Sequence, residues 1–164
     1  MKPEDVYTLK KILTLHPLVR DDVLAAYRVL LYMDIQIRIC QALRTFEEQT
    51  ELYAKGRTKP GGIVTNAKAG ESYHNYGLAF DFCLLLEDKE VSWNRDIDLN
   101  SDGAKDWSQV VDVFKAAGFS SGGDWKGWKD YPHLEKSFGK SCNDLLALHT
   151  SGDTENGYVR IKVA

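Results

Sequence analysis

His74 and Asp81 lie seven residues apart in the stretch SYHNYGLAFDF, residues 72–82. His133 lies in KDYPHLE, with Asp130 three residues before it and Glu135 two after. Two imidazole nitrogens and one carboxylate oxygen suit Zn2+, and three protein ligands leave a fourth position for water. A metal there lowers the pKa of its water towards about 7. A neighbouring carboxylate can then take the proton and pass it to a leaving group. Asp130 and Glu135 are both candidates for that base. Spacing alone leaves the alternative open, that two of the four histidines fall among 24 acidic residues with no shared purpose. His16 precedes Pro17 between two helical patterns and His149 ends another, so both read as surface or capping residues.

The other reactive side chains are less informative. Cys40, Cys83 and Cys142 are odd in number and lack a CxxC spacing, so they form neither a disulfide framework nor a cysteine zinc site. Cys40 and Cys83 sit in apolar, strand-like runs and read as buried free thiols.

The elements that must position these residues can be read from periodicity. Residues 3–14 and 17–33 carry apolar residues at helical spacing, the second at 19, 23, 27, 30 and 31. Residues 35–43 alternate as a strand, with Ile35, Ile37 and Ile39 on one face. Residues 45–56 read as a short helix, with Thr45 and Glu48 as a capping box and Gly56 as its stop. Residues 57–77 read as a long loop, and loops of that length are commonly functional. A second strand follows at 78–86, and 90–94 can pair with it. A helix spans 106–117, ended by Gly118, and a glycine- and tryptophan-rich loop leads to YPHLEK. That segment reads as a short strand at a sheet edge because of Pro132. A helix at 142–149 and a last strand at 157–163 complete a single α+β domain, helices first and then a small, mostly antiparallel sheet.

The two histidine motifs fit Ser-x-His-x-x-Gly-x-Ala-x-Asp and Asp-x-Pro-His-x-Glu. Together they resemble the zinc peptidases of the D-Ala-D-Ala carboxypeptidase and L-alanyl-D-glutamate endopeptidase family, M15. The resemblance covers about residues 35–136. LYAKGRTKPG and GGDWK are similar to the endopeptidase branch found in phage endolysins and bacterial wall hydrolases. It implies a hedgehog/D,D-peptidase-like fold and one Zn2+ held by His74, Asp81 and His133. Asp130 is then the general base, where many relatives carry the longer glutamate. Arg44, on the strand-to-helix turn, stabilises developing negative charge. Ser72 reads either as a loop-shaping residue or as one near substrate, and Glu135 either as orienting a ligand histidine or as a solvated carboxylate. Trp125, Trp128 and Tyr131 are expected to pack under the site, and Arg57 and Lys59 to form a solvated loop face.

The implied activity is hydrolysis of the peptidoglycan stem peptide at the L-alanyl–D-glutamate bond. The alternatives are a D,D-carboxypeptidase or dipeptidase, and a non-catalytic wall-binding module stabilised by zinc. The chain, 1–164, is expected to be one peptidase domain without a separate wall-binding domain, and a monomer. A net charge of −3 with no basic face argues against nucleic acid, and no apolar run is long enough to enter a membrane as a span. The N-terminus has no secretory pattern. The expectation is synthesis in the cytoplasm and release to the wall by a separate route.

Asp98, Asn100, Asp102 and Gly103, with Asp106 beyond, form the start of a calcium loop, with oxygen ligands at alternate positions and a glycine at the sharp turn. The twelfth position is Gln109 rather than the glutamate of an EF-hand. Calcium binding and a plain acidic turn are both consistent with that pattern.

Overall fold

The structure, a computed structural model, describes residues 1–163. Its framework is a strand pair formed by β1 (Ile37–Gln41) and β2 (Ala79–Leu85) in antiparallel register, Ile37 opposite Leu84 and Ile39 opposite Phe82. The register then shifts, with Gln41 opposite Asp81, so that Cys40 is an extra residue on β1, a bulge. The short β3 (Val91–Ser92) pairs with the far end of β2, as the turn at residues 87–89 predicts.

Side chains alternate across a sheet. One face carries Ile37, Ile39, Phe80, Phe82 and Leu84, all fully buried. They join Val19, Val23, Tyr27 and Leu30 of α2 (Pro17–Tyr32) and Val110 and Phe114 of α4 (Asp106–Ala116) in one core. Phe80 meets Phe114 edge-on at 4.9 Å and Phe119 at 5.7 Å, a geometry that adds about 0.5–1.5 kcal/mol per pair beyond area burial. The opposite face of the strand pair carries Arg38, Cys40, Asp81 and Cys83, and there the chemistry gathers.

Two elements lie differently from the sequence expectation. The strand around His133, β5 (His133–Glu135), is not at an edge: it sits between β2 and β4 (Ser120–Ser121) in the order β1-β2-β5-β4. Pro132 stands just before the strand and contributes only its carbonyl, which accepts from Phe82 N at 3.2 Å, so its missing N–H breaks no ladder. The chain end is a separate hairpin of β6 (Thr154–Glu155) and β7 (Tyr158–Val159), with no pairing to the main sheet. It is tied down instead by Val159 and Ile161, buried in the core.

The remaining helices follow their sequence signals more closely. α1 (Val6–Ile12) is shorter than 3–14 because Asp5, its N-cap, accepts from Thr8 N. α3 (Phe46–Ala54) has the Thr45–Glu48 capping box. α5 spans Cys142–Thr150. His16 is a capping residue, accepting from Leu18 N, but it is buried rather than on the surface.

Candidate active site

His74 sits in a single 3-10 turn, Tyr73–Tyr76, inside the segment expected to be all loop. Ser72 caps the turn by accepting from His74 N, and Gly77 closes it at φ 68°. A side chain at Gly77 would also bring a Cβ to 2.7 Å from His16 N, so glycine is required on both counts. The turn delivers His74 onto the open face of the sheet. Asp81 and His133 reach the same place by strand register, since they are directly opposite each other on β2 and β5.

The three ligand atoms form a triangle. His74 Nε2, Asp81 Oδ1 and His133 Nδ1 are each 3.2 Å from the other two. Donors about 2.0–2.1 Å from a tetrahedral zinc stand roughly 3.3 Å apart, so this donor set fits such an ion. Among the described residues it is the one group of three or more His, Cys, Asp and Glu whose ligand atoms already converge closely enough to hold a metal. The outward nitrogens are occupied: His74 Nδ1 donates to the Ala42 carbonyl at 2.8 Å, and His133 Nε2 meets Glu135 Oε2 at 2.7 Å. Each partner fixes the tautomer that turns a lone pair inward. Trp125 packs against the His133 ring at 5.0 Å between centroids.

The triangle holds a proton when no metal does. Burial opposes a charge on His133, but its bonds to Asp81 and Glu135 outweigh burial and hold it at about 9. Burial pushes Asp81 up, but hydrogen bonds from His133 and His74 hold it well below the usual carboxylate range.

Asp130 lies in the turn before β5. Its backbone N donates to Gly122 O, and its carbonyl accepts from His133 N. A Cβ on Gly122 would stand 2.4 Å from the Asp130 carbonyl, so that glycine permits the turn. Asp130 lines the same cleft as the triangle and Arg44. Burial, then the Asp81 charge, raise its pKa against the opposing pull of His133, His74 and Arg44.

Arg44 is buried, 9% exposed, at the exit of β1. One guanidinium nitrogen donates to Gln49 Oε1 at 2.9 Å, while Nε is buried with no partner. A fixed cation lining the same cleft as a metal-ligand triangle can stabilise a developing oxyanion. Gln49 and Asn75 were not singled out by sequence reasoning. Gln49 is fully buried and ties Arg44 to the Ala67 carbonyl, and Asn75 donates to the Arg44 carbonyl. Both look like ordinary polar residues in sequence, and only tertiary contact gives them this task.

His74, Asp81, His133, Asp130 and Arg44 line one cleft of about 770 Å3, walled by Leu52, Ile63, Val64, Trp125 and Trp128. Ser72 and Glu135 line it as well. Trp128 does not pack under the site: it is 76% exposed on the cleft wall. Tyr131 stacks beneath Arg95, 3.6 Å from guanidinium carbon to ring centroid. Arg57 and Lys59 are exposed, on the solvated loop face expected of them, and Arg57 there bonds the Tyr53 and Thr65 carbonyls and Asn66.

The acidic segment near residue 100 lies outside this cleft. Asp98 accepts from Asp102 N and Gly103 N, Asp102 from Ala104 N, and Asp106 from Leu99 N. Asp106 Oδ1 and Gln109 Oε1 remain buried without partners.

A family model of M15 peptidases described as D-alanyl-D-alanine carboxypeptidase matches residues 65–136. The chain is 50% identical over 121 residues to the peptidoglycan L-alanyl-D-glutamate endopeptidase CwlK of Bacillus subtilis (strain 168), covering 74% of this chain and 72% of that one. It is 30% identical over 128 residues to the L-alanyl-D-glutamate peptidase of Listeria phage A118, covering 73% of this chain and 40% of that one. Among solved structures, the L-Ala D-Glu endopeptidase ChiX of Serratia marcescens matches with a TM-score of 0.58 at 22% identity, over 81% of this chain and 88% of that one.

Proposed function

The chain belongs to the M15 peptidase family, and from that premise we propose that it is a zinc-dependent peptidoglycan hydrolase cutting the L-alanyl–D-glutamate bond of the stem peptide. The observation that carries the chemistry is the 3.2 Å donor triangle sharing a cleft with Asp130 and Arg44. The half-identical endopeptidase relative carries the choice of bond.

In this reading His74 Nε2, Asp81 Oδ1 and His133 Nδ1 hold the ion. Bound zinc supplies Lewis acidity towards a carbonyl and acidifies water. Asp130 takes the proton of the attacking water and returns it to the departing amine of D-glutamate. Arg44, whose guanidinium lines the same cleft, offers positive charge to the tetrahedral oxyanion, a type of contact worth about 3–4 kcal/mol. Ala42 and Glu135 keep the two rings aimed while this happens. Trp125, Ile63 and Val64 form apolar walls against which a peptide can lie, excluding water from the reacting bond. The cleft is built within one chain, so the proposal is of one catalytic unit acting as a monomer. Among the described residues no helix is long and apolar enough to cross a membrane. The proposed place of action is the wall, reached after synthesis by a separate release route.

Digestion of purified peptidoglycan tests the bond. The expected products carry new N-terminal D-glutamate, identified by mass spectrometry. Released D-alanine instead would move the activity to the D,D-carboxypeptidase branch, and an intact wall bound by the protein would leave only a binding module.

The segment from Asp98 to Gln109 is proposed as a second, oxygen-only cation site, because Asp106 Oδ1 and Gln109 Oε1 are buried without hydrogen-bond partners. Burial and the charges of Asp98 and Asp102 together raise the Asp106 carboxyl, a strain that a hard cation relieves. Millimolar Ca2+ added to the zinc-loaded protein is expected to raise its melting temperature, and Asp102→Asn to remove the rise. Identical melting curves with and without Ca2+ would leave the segment a self-bonded turn.

A further inference from the structure

Two sulfurs stand together on the site-bearing face of the sheet, and the mechanism uses neither. Cys40 is the bulged residue of β1, placed between the Ile39–Phe82 and Gln41–Asp81 pairs and opposite no residue of its own. Its side chain leans diagonally across to β2, where Cys40 Sγ lies 2.8 Å from Cys83 Sγ. Both sulfurs also sit against the Arg38 carbonyl, at 3.5 and 3.6 Å, which holds the two side chains in the same orientation. Cys83 is fully buried and Cys40 half-buried, so one sulfur is open to a reagent and the other waits behind it. Cys142 lines the cleft instead and is not part of the pair.

We infer that Cys40 and Cys83 form an oxidation site, closed to a cross-strand disulfide by a low-molecular-weight disulfide such as oxidised glutathione. A disulfide needs a sulfur separation of about 2.05 Å, so closure asks for a shift of under an ångström along a contact that already exists. The bulge supplies the slack, because Cys40 has no Cα partner whose pairing the shift would break. Exchange runs in two displacements. The Cys40 thiolate attacks one glutathione sulfur, the glutathione S–S bond breaks, and one glutathione thiolate leaves and is protonated. Cys83 then loses its proton to solvent and attacks the Cys40 sulfur of the mixed disulfide, expelling the second glutathione. Two protein thiols are oxidised, one glutathione disulfide is reduced to two thiols, and no other oxidant is required.

The cross-link has a definite structural effect. The loop it closes, residues 40 to 83, contains Arg44, His74 and Asp81. Closing it constrains the unfolded chain and staples β1 to β2 two residues from Asp81, while neither sulfur lines the cleft. A reducing cytoplasm keeps the pair open and an oxidising exterior favours the bond. The staple therefore forms after release and adds stability without altering the reacting groups.

The test uses zinc-loaded, full-length protein incubated with excess oxidised glutathione. Thiols counted after denaturation are expected to fall from three to one, with an intact mass lower by two hydrogens and no glutathione adduct. Peptide mapping is expected to link the Cys40 and Cys83 peptides. The melting temperature is expected to rise and to return on reduction with dithiothreitol. Cys142→Ser is expected to fall from two thiols to none, and Cys40→Ser to show no melting shift. Three surviving thiols, a stable glutathione adduct on Cys40, or a link to Cys142 would each overturn the site. An unchanged melting temperature in the cross-linked protein would overturn the staple.

Discussion

Asp130→Ala is expected to yield a folded, zinc-loaded protein whose wall-lytic rate is lower by about 10²–10⁴-fold, the usual contribution of a positioned general acid–base group. The metal triangle does not depend on the Asp130 side chain: its three atoms are aimed by Ala42, Glu135 and the β2–β5 register. The turn around Asp130 is held by backbone bonds to Gly122 and His133, which alanine retains. Stability is expected to move the other way from activity. Burial raises the Asp130 carboxyl in the fold, so folding favours its protonated form. That contribution is fully present below the ordinary carboxylate range and is lost as pH rises through the raised value. At pH 7.5 the zinc-free wild type therefore carries a buried charge at a cost that Asp130→Asn removes. Its melting temperature is expected to match or exceed that of the wild type while lysis is lost. Near wild-type lysis by Asp130→Ala, at equal zinc content, would remove Asp130 from the mechanism.

The sequence discloses some parts of this site better than others, for physical reasons. The apolar stripe at 19, 23, 27, 30 and 31 is a local property, and those side chains are the buried face of α2. The Thr45–Glu48 capping box is equally local. Pro132 suggests an edge position for β5, but it stands one position outside the strand and keeps only an acceptor role, so β5 lies within the sheet. The pairing of Asp81 with His133 is a contact across 52 residues, and no periodicity encodes it. The motifs bring these residues to attention, but the 3.2 Å spacing arises from a strand register and a glycine turn that exist only in three dimensions. Gln49 and Asn75 are harder still. A glutamine on a mostly polar helix resembles any solvated residue until the fold places Arg44 against it. The Cys40–Cys83 contact likewise depends on a bulge, which alternation alone reads as an uninterrupted strand.

His133→Ala is expected to reduce zinc from about one ion per chain to nearly none and to abolish lysis, with chelation of the wild type giving the same loss. Removing Nδ1 leaves His74 and Asp81 as two donors where three made a closed triangle. The linkage to protons sharpens the test. In the metal-free protein His133 titrates at about 9, above its ordinary value of 6.5, because Asp81 and Glu135 both bond it. Its protonated form therefore stabilises the metal-free fold fully below pH 6.5, and that stabilisation is lost as pH rises through about 9. Zinc must displace the same proton. At pH 7 its uptake is expected to release about one proton per ion, and its affinity to tighten towards pH 9. Zinc-stripped wild type is expected to lose stability across that interval, and His133→Ala to show neither the proton release nor the slope. Glu135→Gln separates aiming from binding. The glutamine keeps a group against Nε2 without the charge, so zinc affinity is expected to fall by about 10–100-fold while the ion still binds when in excess. Full zinc occupancy in His133→Ala would break the triangle as the metal site, and an unaltered affinity in Glu135→Gln would reduce Glu135 to a cleft-lining carboxylate.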